Sequence, residues 1–98
     1  MPLFHFIGLD KPDSLDLRLS VRPHHLDYAN ASGKVRAGGA LLDAAGNPEG
    51  SVIILEADSL EAAKVFTDAD PYAKAGLFAS TSLRPWRLAI GGVQGYAG

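Results

Sequence analysis

The sequence predicts an α+β fold in which two helices cover one face of a four-stranded antiparallel sheet. Hydrophobic residues change from strand-like runs to helical spacing and back, in the order strand, helix, strand, strand, helix, strand. Turn-forming residues mark each change. This order is the split βαβ, or ferredoxin-like, arrangement, whose two right-handed crossovers place both helices on one face. The other face is expected to be bare and apolar, which predicts a homodimer packed sheet to sheet.

The first strand and helix are predicted from the opening third of the chain. An apolar, aromatic-rich run over residues 3–9 predicts a buried strand that ends at a turn. Asp13 or Ser14 can cap the following helix, in which apolar residues recur at helical spacing. Pro23 interrupts that spacing, so a kink or restart is expected there. Gly33 is expected to end the helix as a left-handed cap.

A β-hairpin and a second helix are predicted in the middle of the chain. Residues 34–43 and 51–57 predict two strands joined by a long, turn-rich loop. Ser59 is the expected cap of the second helix, which should end near residues 67–68. These elements complete the central part of the predicted order.

The last part of the chain predicts a helical turn and a final strand. A short helical turn is expected over residues 72–75, followed by a strand over residues 77–83. Pro85 should break or bulge this strand. Three apolar residues at alternate positions are expected to resume it: Trp86, Leu88 and Ile90. The glycine-rich tail carries no clear pattern, and the whole chain, residues 1–98, is predicted to form one domain.

Composition restricts the kinds of partner that this chain can have. Its net charge is -2 and its 9 basic residues are scattered, which argues against binding to nucleic acid. The sequence shows no basic leader, and no apolar run approaches the ~20 residues that span a bilayer, so no membrane association is expected. With 0 cysteines, the chain suits a reducing compartment, and a cytoplasmic protein is predicted.

A histidine and an aspartate are the main candidates for chemistry. His25 shares a helical face with Arg18 and Arg22, and Asp70 could supply it with a carboxylate. Such a pair is a common minimal apparatus for moving protons. The alternative is structural: a helix histidine satisfied by one hydrogen bond, and an Asp-Pro turn whose carboxylate caps a helix. Arg22 could bind an anionic substrate group or pair on the surface with one of two neighbours, Asp16 or Asp27.

The remaining polar residues suggest neither a metal nor a cofactor. Adjacent helical histidines, His24 and His25, point about 100° apart, and His5 is expected in the core, so no metal site is predicted. No helix follows Gly38-Gly39, so this pair is not a dinucleotide fingerprint and no cofactor is predicted. Ser51 lacks the context of a nucleophile and is expected to be structural or to donate a hydrogen bond to substrate.

Six short motifs along the chain together resemble the YciI-like family, and the resemblance spans nearly the whole sequence. They are Arg22-Pro23-His24-His25-Leu26, Gly38-Gly39, Gly50-Ser51, Ser59-Leu60-Glu61-Ala62-Ala63, Asp70-Pro71-Tyr72 and Arg84-Pro85-Trp86. Each is weak alone, but their order and spacing are fairly specific. Members of this family have the dimeric α+β barrel fold, which the resemblance therefore implies for this chain.

The resemblance also implies a site. The family pattern carries a histidine before the leucine and an aspartate before the proline, proposed to act as a His-Asp dyad, and these positions match His25 and Asp70. His24 stands where the family more often carries a small residue, and it is the alternative functional histidine. The family includes an enzyme that eliminates chloride from a chlorinated hydroxyhydroquinone, and muconolactone isomerases are relatives by fold.

Three functional hypotheses follow from these observations. The first is a cofactor-independent lyase or isomerase, in which His25 moves a proton, Asp70 orients it, and Arg22, Ser51 or His24 binds a small phenolic or anionic substrate. The second is a non-catalytic module that holds a similar ligand in the same cleft. The third is a purely structural dimer in which the two residues only tie helices together.

Overall fold

The computed structural model describes residues 2–92 and confirms the predicted ferredoxin-like order. Its elements, in chain order, are β1 (Leu3–Asp10), α1 (Leu15–Ser32), β2 (Val35–Leu42), β3 (Pro48–Glu56), α2 (Leu60–Asp68), α3 (Pro71–Lys74) and β4 (Phe78–Trp86). The sheet order is β2-β3-β1-β4, with every neighbouring pair antiparallel. The edge strands are therefore β2 and β4.

The sheet buries its core on the face that carries the helices. Phe4 lies opposite Leu55, and Phe6 lies opposite Ile53. These side chains form one cluster with two residues of α2, Ala63 and Phe66. The alternate residues of the same strands point to the opposite face because side chains alternate along a strand.

The opposite face carries partly exposed apolar side chains. Ile7 and Val52 lie opposite each other in the ladder and are half-buried, and Leu9 is 47% exposed. His5 pairs with Ile54 and Arg84 on this same face. His5 is half-buried and points away from the helices, so it is not part of the core cluster beneath them.

Helix α1 is continuous through Pro23, so the expected restart is not observed. Leu19, whose carbonyl loses its partner at Pro23, and Pro23 itself are both exposed, and water can solvate that carbonyl. Gly33 ends the helix with φ 69°, which confirms the left-handed cap. Ser14 occupies the N-cap position without a side-chain cap hydrogen bond.

Two strand boundaries differ from the sequence expectation. Strand β3 begins at Pro48, so the hairpin loop is shorter than expected. Strand β4 runs through Pro85 without a break and ends at Trp86, leaving Leu88 and Ile90 outside it. An edge strand can carry proline because one side of its backbone has no neighbouring strand. Residues 93–98 of the glycine-rich tail lie outside the described part of the chain.

None of the helices within residues 2–92 combines the length and the apolar character needed to cross a membrane.

Candidate functional site

Helices α1 and α3 bring His25 and Asp70 into hydrogen-bond contact. The His25 Nδ1 atom lies 2.8 Å from Asp70 Oδ2 and 3.0 Å from Oδ1. Asp70 is the N-cap residue of α3, and its Oδ1 accepts the N–H of Tyr72 at 2.8 Å. The carboxylate therefore caps a helix and holds an imidazole at the same time, so the structural and functional interpretations of Asp70 are compatible.

The contact between His25 and Asp70 is largely buried, and it favours one tautomer of the imidazole. Asp70 is 4% exposed and the His25 side chain 14%. A carboxylate on Nδ1 favours the tautomer that carries its proton there, which leaves Nε2 as the nitrogen that can exchange a proton with a substrate.

Tyr72 packs against the imidazole ring of His25. Its ring, 2% exposed, stacks on His25 with centroids 4.1 Å apart and an interplanar angle of 19°. The Arg18 guanidinium lies over the same tyrosine ring, 4.6 Å from its centroid. Burial raises the pKa of the Tyr72 phenol above its ordinary value, although the nearby charges of Arg18 and Arg22 act against this shift.

Arg18 is buried at the centre of a polar cluster that also contains Asp10 and Ser51, and no local motif predicts this cluster. Its Nε donates to Asp10 Oδ2 at 2.7 Å, and its Nη2 donates to Asp10 Oδ1 at 3.0 Å and to the Ser51 hydroxyl at 2.7 Å. Arg18 is 3% exposed. Its helical spacing with His25 was visible in the sequence, but the pairing with Asp10 depends on how α1 lies across the end of β1.

Ser51 reaches this cluster because of its register. It lies opposite Gly8 on β1 and Ala40 on β2, on the helix-covered side of the sheet, and is 3% exposed. Its hydroxyl accepts a hydrogen bond from Arg18 Nη2, and its expected role as a donor to substrate stays a prediction.

These residues border a cleft of about 310 Å³ between α1 and β2. The helix wall includes Arg22, His25 and Ala29, the strand wall is residues 35–40, and Ser51 and Ile53 line it from the neighbouring strand. The shape suits a small ligand held beside the imidazole.

Charges along the cleft are mostly paired. Arg18 pairs with Asp10, and Arg36, at the far end, pairs with Glu56 and donates to the Gly33 carbonyl at 3.1 Å. Arg22 is exposed and belongs to none of the salt bridges formed within residues 2–92, so neither expected surface pair, with Asp16 or with Asp27, is present there.

The structure places three of the candidates, His25, Arg22 and Ser51, on the cleft, with Asp70 directly behind His25. His24 is exposed and does not line the cleft, because adjacent residues of a helix point about 100° apart. It is therefore not positioned as a substrate-binding residue in this chain. In the part of the chain that the structure describes, no group of three or more His, Cys, Asp or Glu residues could hold a metal ion.

Comparison with known proteins finds a matching domain family and individual proteins of similar sequence. The model of the YCII-related domain matches residues 3–87. Protein YciI of Escherichia coli O6:H1 is 37% identical over 94 residues, covering 87% of this chain and 96% of the relative. An uncharacterized protein of Haemophilus influenzae is 32% identical over 90 residues, covering 80% of this chain and 89% of the relative.

Solved structures agree with these matches. The 5-chloro-2-hydroxyhydroquinone dehydrochlorinase TftG from Burkholderia phenoliruptrix, in complex with 2,5-dihydroxybenzoquinone, superposes with a TM-score of 0.82 at 34% identity, covering 89% of this chain and 95% of that one. An antibiotic biosynthesis monooxygenase superposes with a TM-score of 0.59 at 12% identity, covering 92% and 100%, which is a likeness of fold alone.

Proposed function

Because the chain belongs to the YCII-related domain family, we propose that it is a cofactor-independent lyase or isomerase acting on a small phenolic or anionic molecule. The observation that carries the proposal is the hydrogen bond from His25 Nδ1 to a buried carboxylate, beside an open cleft. A histidine held in this way can accept a proton from a substrate and return it through Nε2.

In an elimination, the Nε2 atom of His25 accepts a proton from the substrate. The electron pair of the broken bond forms a new double bond, and the leaving group departs with its own electron pair as an anion. The imidazolium that forms is balanced by Asp70, which lies 2.8 Å from Nδ1. In an isomerisation, the same imidazolium returns the proton to a different substrate atom.

Arg22 is proposed to hold the negative charge of the substrate. Of the three arginines that line the cleft within residues 2–92, it alone forms no salt bridge there, whereas Arg18 and Arg36 each pair with a carboxylate. Arg22 and His25 are three residues apart on the same helix, so a phenolate or carboxylate bound by Arg22 would lie close to His25. Ser51 is proposed to bind a substrate oxygen.

Turnover of a chlorinated hydroxyhydroquinone tests the proposal, since TftG is a dehydrochlorinase of such a compound. Chloride release from 5-chloro-2-hydroxyhydroquinone is measured for the wild-type protein, for His25→Ala and for His24→Ala. His24 is the matched control, because it is an exposed neighbour on the same helix and does not line the cleft. We expect His25→Ala to lower the rate about 10²-fold or more and His24→Ala to leave it near wild type.

Other outcomes distinguish the alternative functions. Equal rates for wild-type protein and His25→Ala would remove this histidine from the mechanism. Binding of 2,5-dihydroxybenzoquinone without turnover of the chlorinated hydroxyhydroquinone would favour a non-catalytic binding module. Absence of both would contradict a phenolic substrate.

We also propose that the chain forms a homodimer through the sheet face that carries Ile7 and Val52. Half-buried apolar side chains on a face that points away from the helices support this association. Cytoplasmic localisation stays a prediction from the composition.

A further inference from the structure

Gly38 is a glycine that neither the backbone nor the packing requires. It lies opposite Ile53, on the helix-covered side of β2, and it lines the cleft. A Cβ atom built there would lie 3.7 Å from Val35 Cγ1 and from the Val52 carbonyl oxygen, and 3.9 Å from Ile53 Cγ1, which are ordinary van der Waals distances. Its φ angle is not in the left-handed region that favours glycine.

Because Gly38 has no side chain, the β2 side of the cleft projects little into the space between β2 and α1. Residues 37–40 of β2 are all glycine or alanine and are exposed, although this edge strand faces α1. Four residue steps, from Arg36 to Ala40, span about 13 Å of wall at about 3.3 Å each. Across from it lie His25 and Ala29, so the cleft is a slot with one wall made largely of peptide backbone.

From this geometry we propose that Gly38 determines substrate specificity by admitting a flat aromatic or quinonoid ring against β2. The ring lies with its edge toward His25, and an acidic substituent is held by Arg22. Gly38 and its small neighbours leave enough width in the cleft for a planar ring. A branched or puckered ring is thicker and does not fit this width. The orientation of the ring toward His25 rests on the proposed function, in which His25 exchanges a proton with the substrate.

Two carboxylic acids of equal charge and similar size test the proposal. Benzoate is flat and cyclohexanecarboxylate is puckered, and each is titrated into ¹⁵N-labelled protein while amide shifts are followed by NMR. We expect wild-type protein to bind benzoate more tightly than cyclohexanecarboxylate. Gly38→Ala and Gly38→Val should weaken benzoate binding about tenfold and more than tenfold, respectively, because one added methyl group in a fitted pocket has an effect of this size.

Gly92→Ala is the matched control. Gly92 does not line the cleft, and an added Cβ atom there meets nothing within 4 Å. It should therefore keep the wild-type affinity for benzoate. Circular dichroism and native mass of all variants establish that the fold and the association state are the same before affinities are compared.

The results separate this proposal from the proposed function. Equal binding of both acids, binding of neither, or wild-type affinity in Gly38→Val would overturn the role of Gly38, whatever the effect of His25→Ala on turnover. Conversely, if benzoate is preferred and Gly38→Ala weakens it while His25→Ala keeps full turnover, the slot stands and the proton-transfer function fails.

Discussion

Tyr72 positions His25 in two ways. Its ring stacks on the imidazole at a centroid distance of 4.1 Å, and its backbone N–H donates to the carboxylate of Asp70, which in turn contacts His25 Nδ1. The plane of the imidazole and the direction of its Nδ1 atom are thus both set by one short segment, residues 70–72. A histidine restrained in this way is suited to present Nε2 to the cleft in one orientation.

Asp70→Asn tests the orienting role of the carboxylate. The amide oxygen can still accept the Tyr72 N–H, so α3 should keep its cap, but the side chain can no longer balance an imidazolium. We expect the turnover rate to fall about 10²- to 10⁴-fold with little change in thermal stability. Asp68→Asn is the control, since Asp68 is exposed and forms a surface ion pair with Lys64. A rate near wild type in Asp70→Asn would contradict the orienting role.

Arg18→Met should destabilise the protein strongly. Arg18 and Asp10 form a bidentate pair with side chains only 4% and 5% exposed, so removing the arginine leaves a buried carboxylate without its partner. We expect a loss of about 3–5 kcal/mol in the free energy of unfolding, measured by urea denaturation. Lys64→Met, at a pair exposed by 69% and 63%, should change it by less than about 1 kcal/mol.

A double variant separates charge pairing from packing at the same place. If the loss in Arg18→Met comes from the unpaired carboxylate, then Asp10→Leu added to Arg18→Met should recover part of the stability. A double variant that is less stable than Arg18→Met would show that packing, and not the orphaned charge, dominates.

Stability should decline at alkaline pH because the pKa of the half-buried Tyr28 is raised. Burial, with a smaller contribution from Asp70, raises the pKa of Tyr28, whose hydroxyl donates to the Phe66 carbonyl at 2.7 Å. The neutral phenol is thus favoured in the folded state, and above the ordinary tyrosine pKa of about 10 the folded chain holds more protons than the unfolded chain. The free energy of unfolding therefore falls as pH rises through this range, whereas the contribution is fully present below it.

Tyr28→Phe isolates this effect. The variant should lose about 1 kcal/mol at neutral pH with the hydrogen bond to Phe66, and its stability should fall less steeply than that of the wild type above pH ~10. Denaturation curves at a series of pH values give both quantities. Parallel declines in the two proteins would exclude Tyr28 as a source of the alkaline loss.

A charge on the open sheet face should prevent dimer formation. Val52→Glu places a carboxylate among Ile7 and the other half-buried side chains of the face that is proposed to pair. We expect analytical ultracentrifugation to show a dimer for the wild type and a folded monomer for the variant, because an unpaired charge is costly to bury. Leu60→Glu, at a position on α2 that is 45% exposed, should leave the mass unchanged. A monomeric wild type would contradict the proposed homodimer.

Local pattern in the sequence was sufficient for the order of elements and for two of the key positions. Helical and strand periodicity, Gly33 as a left-handed cap and Asp70 before a proline are local signals, and each predicts a structure without knowledge of distant residues. The resemblance to the YciI-like family favoured His25 over His24. The family motif has its histidine immediately before the leucine, whereas chemistry alone allows either histidine. The strand boundaries near Pro48 and Pro85 were less accurate. Pro48 is the first residue of β3, and Pro85 lies in the edge strand β4, and proline is tolerated at both kinds of position.

Long-range contacts decided the rest. Asp10 and Arg18 stand eight residues apart, but Ser51, which completes their cluster, is 33 residues from Arg18 and arrives through the pairing of β1 with β3. The contact between His25 and Asp70 likewise spans 45 residues. The sequence by itself determined which residue types and which elements this chain has; only the tertiary structure decided which charges are neutralised and which cation faces the cleft, because pairing depends on how helices lie across the sheet.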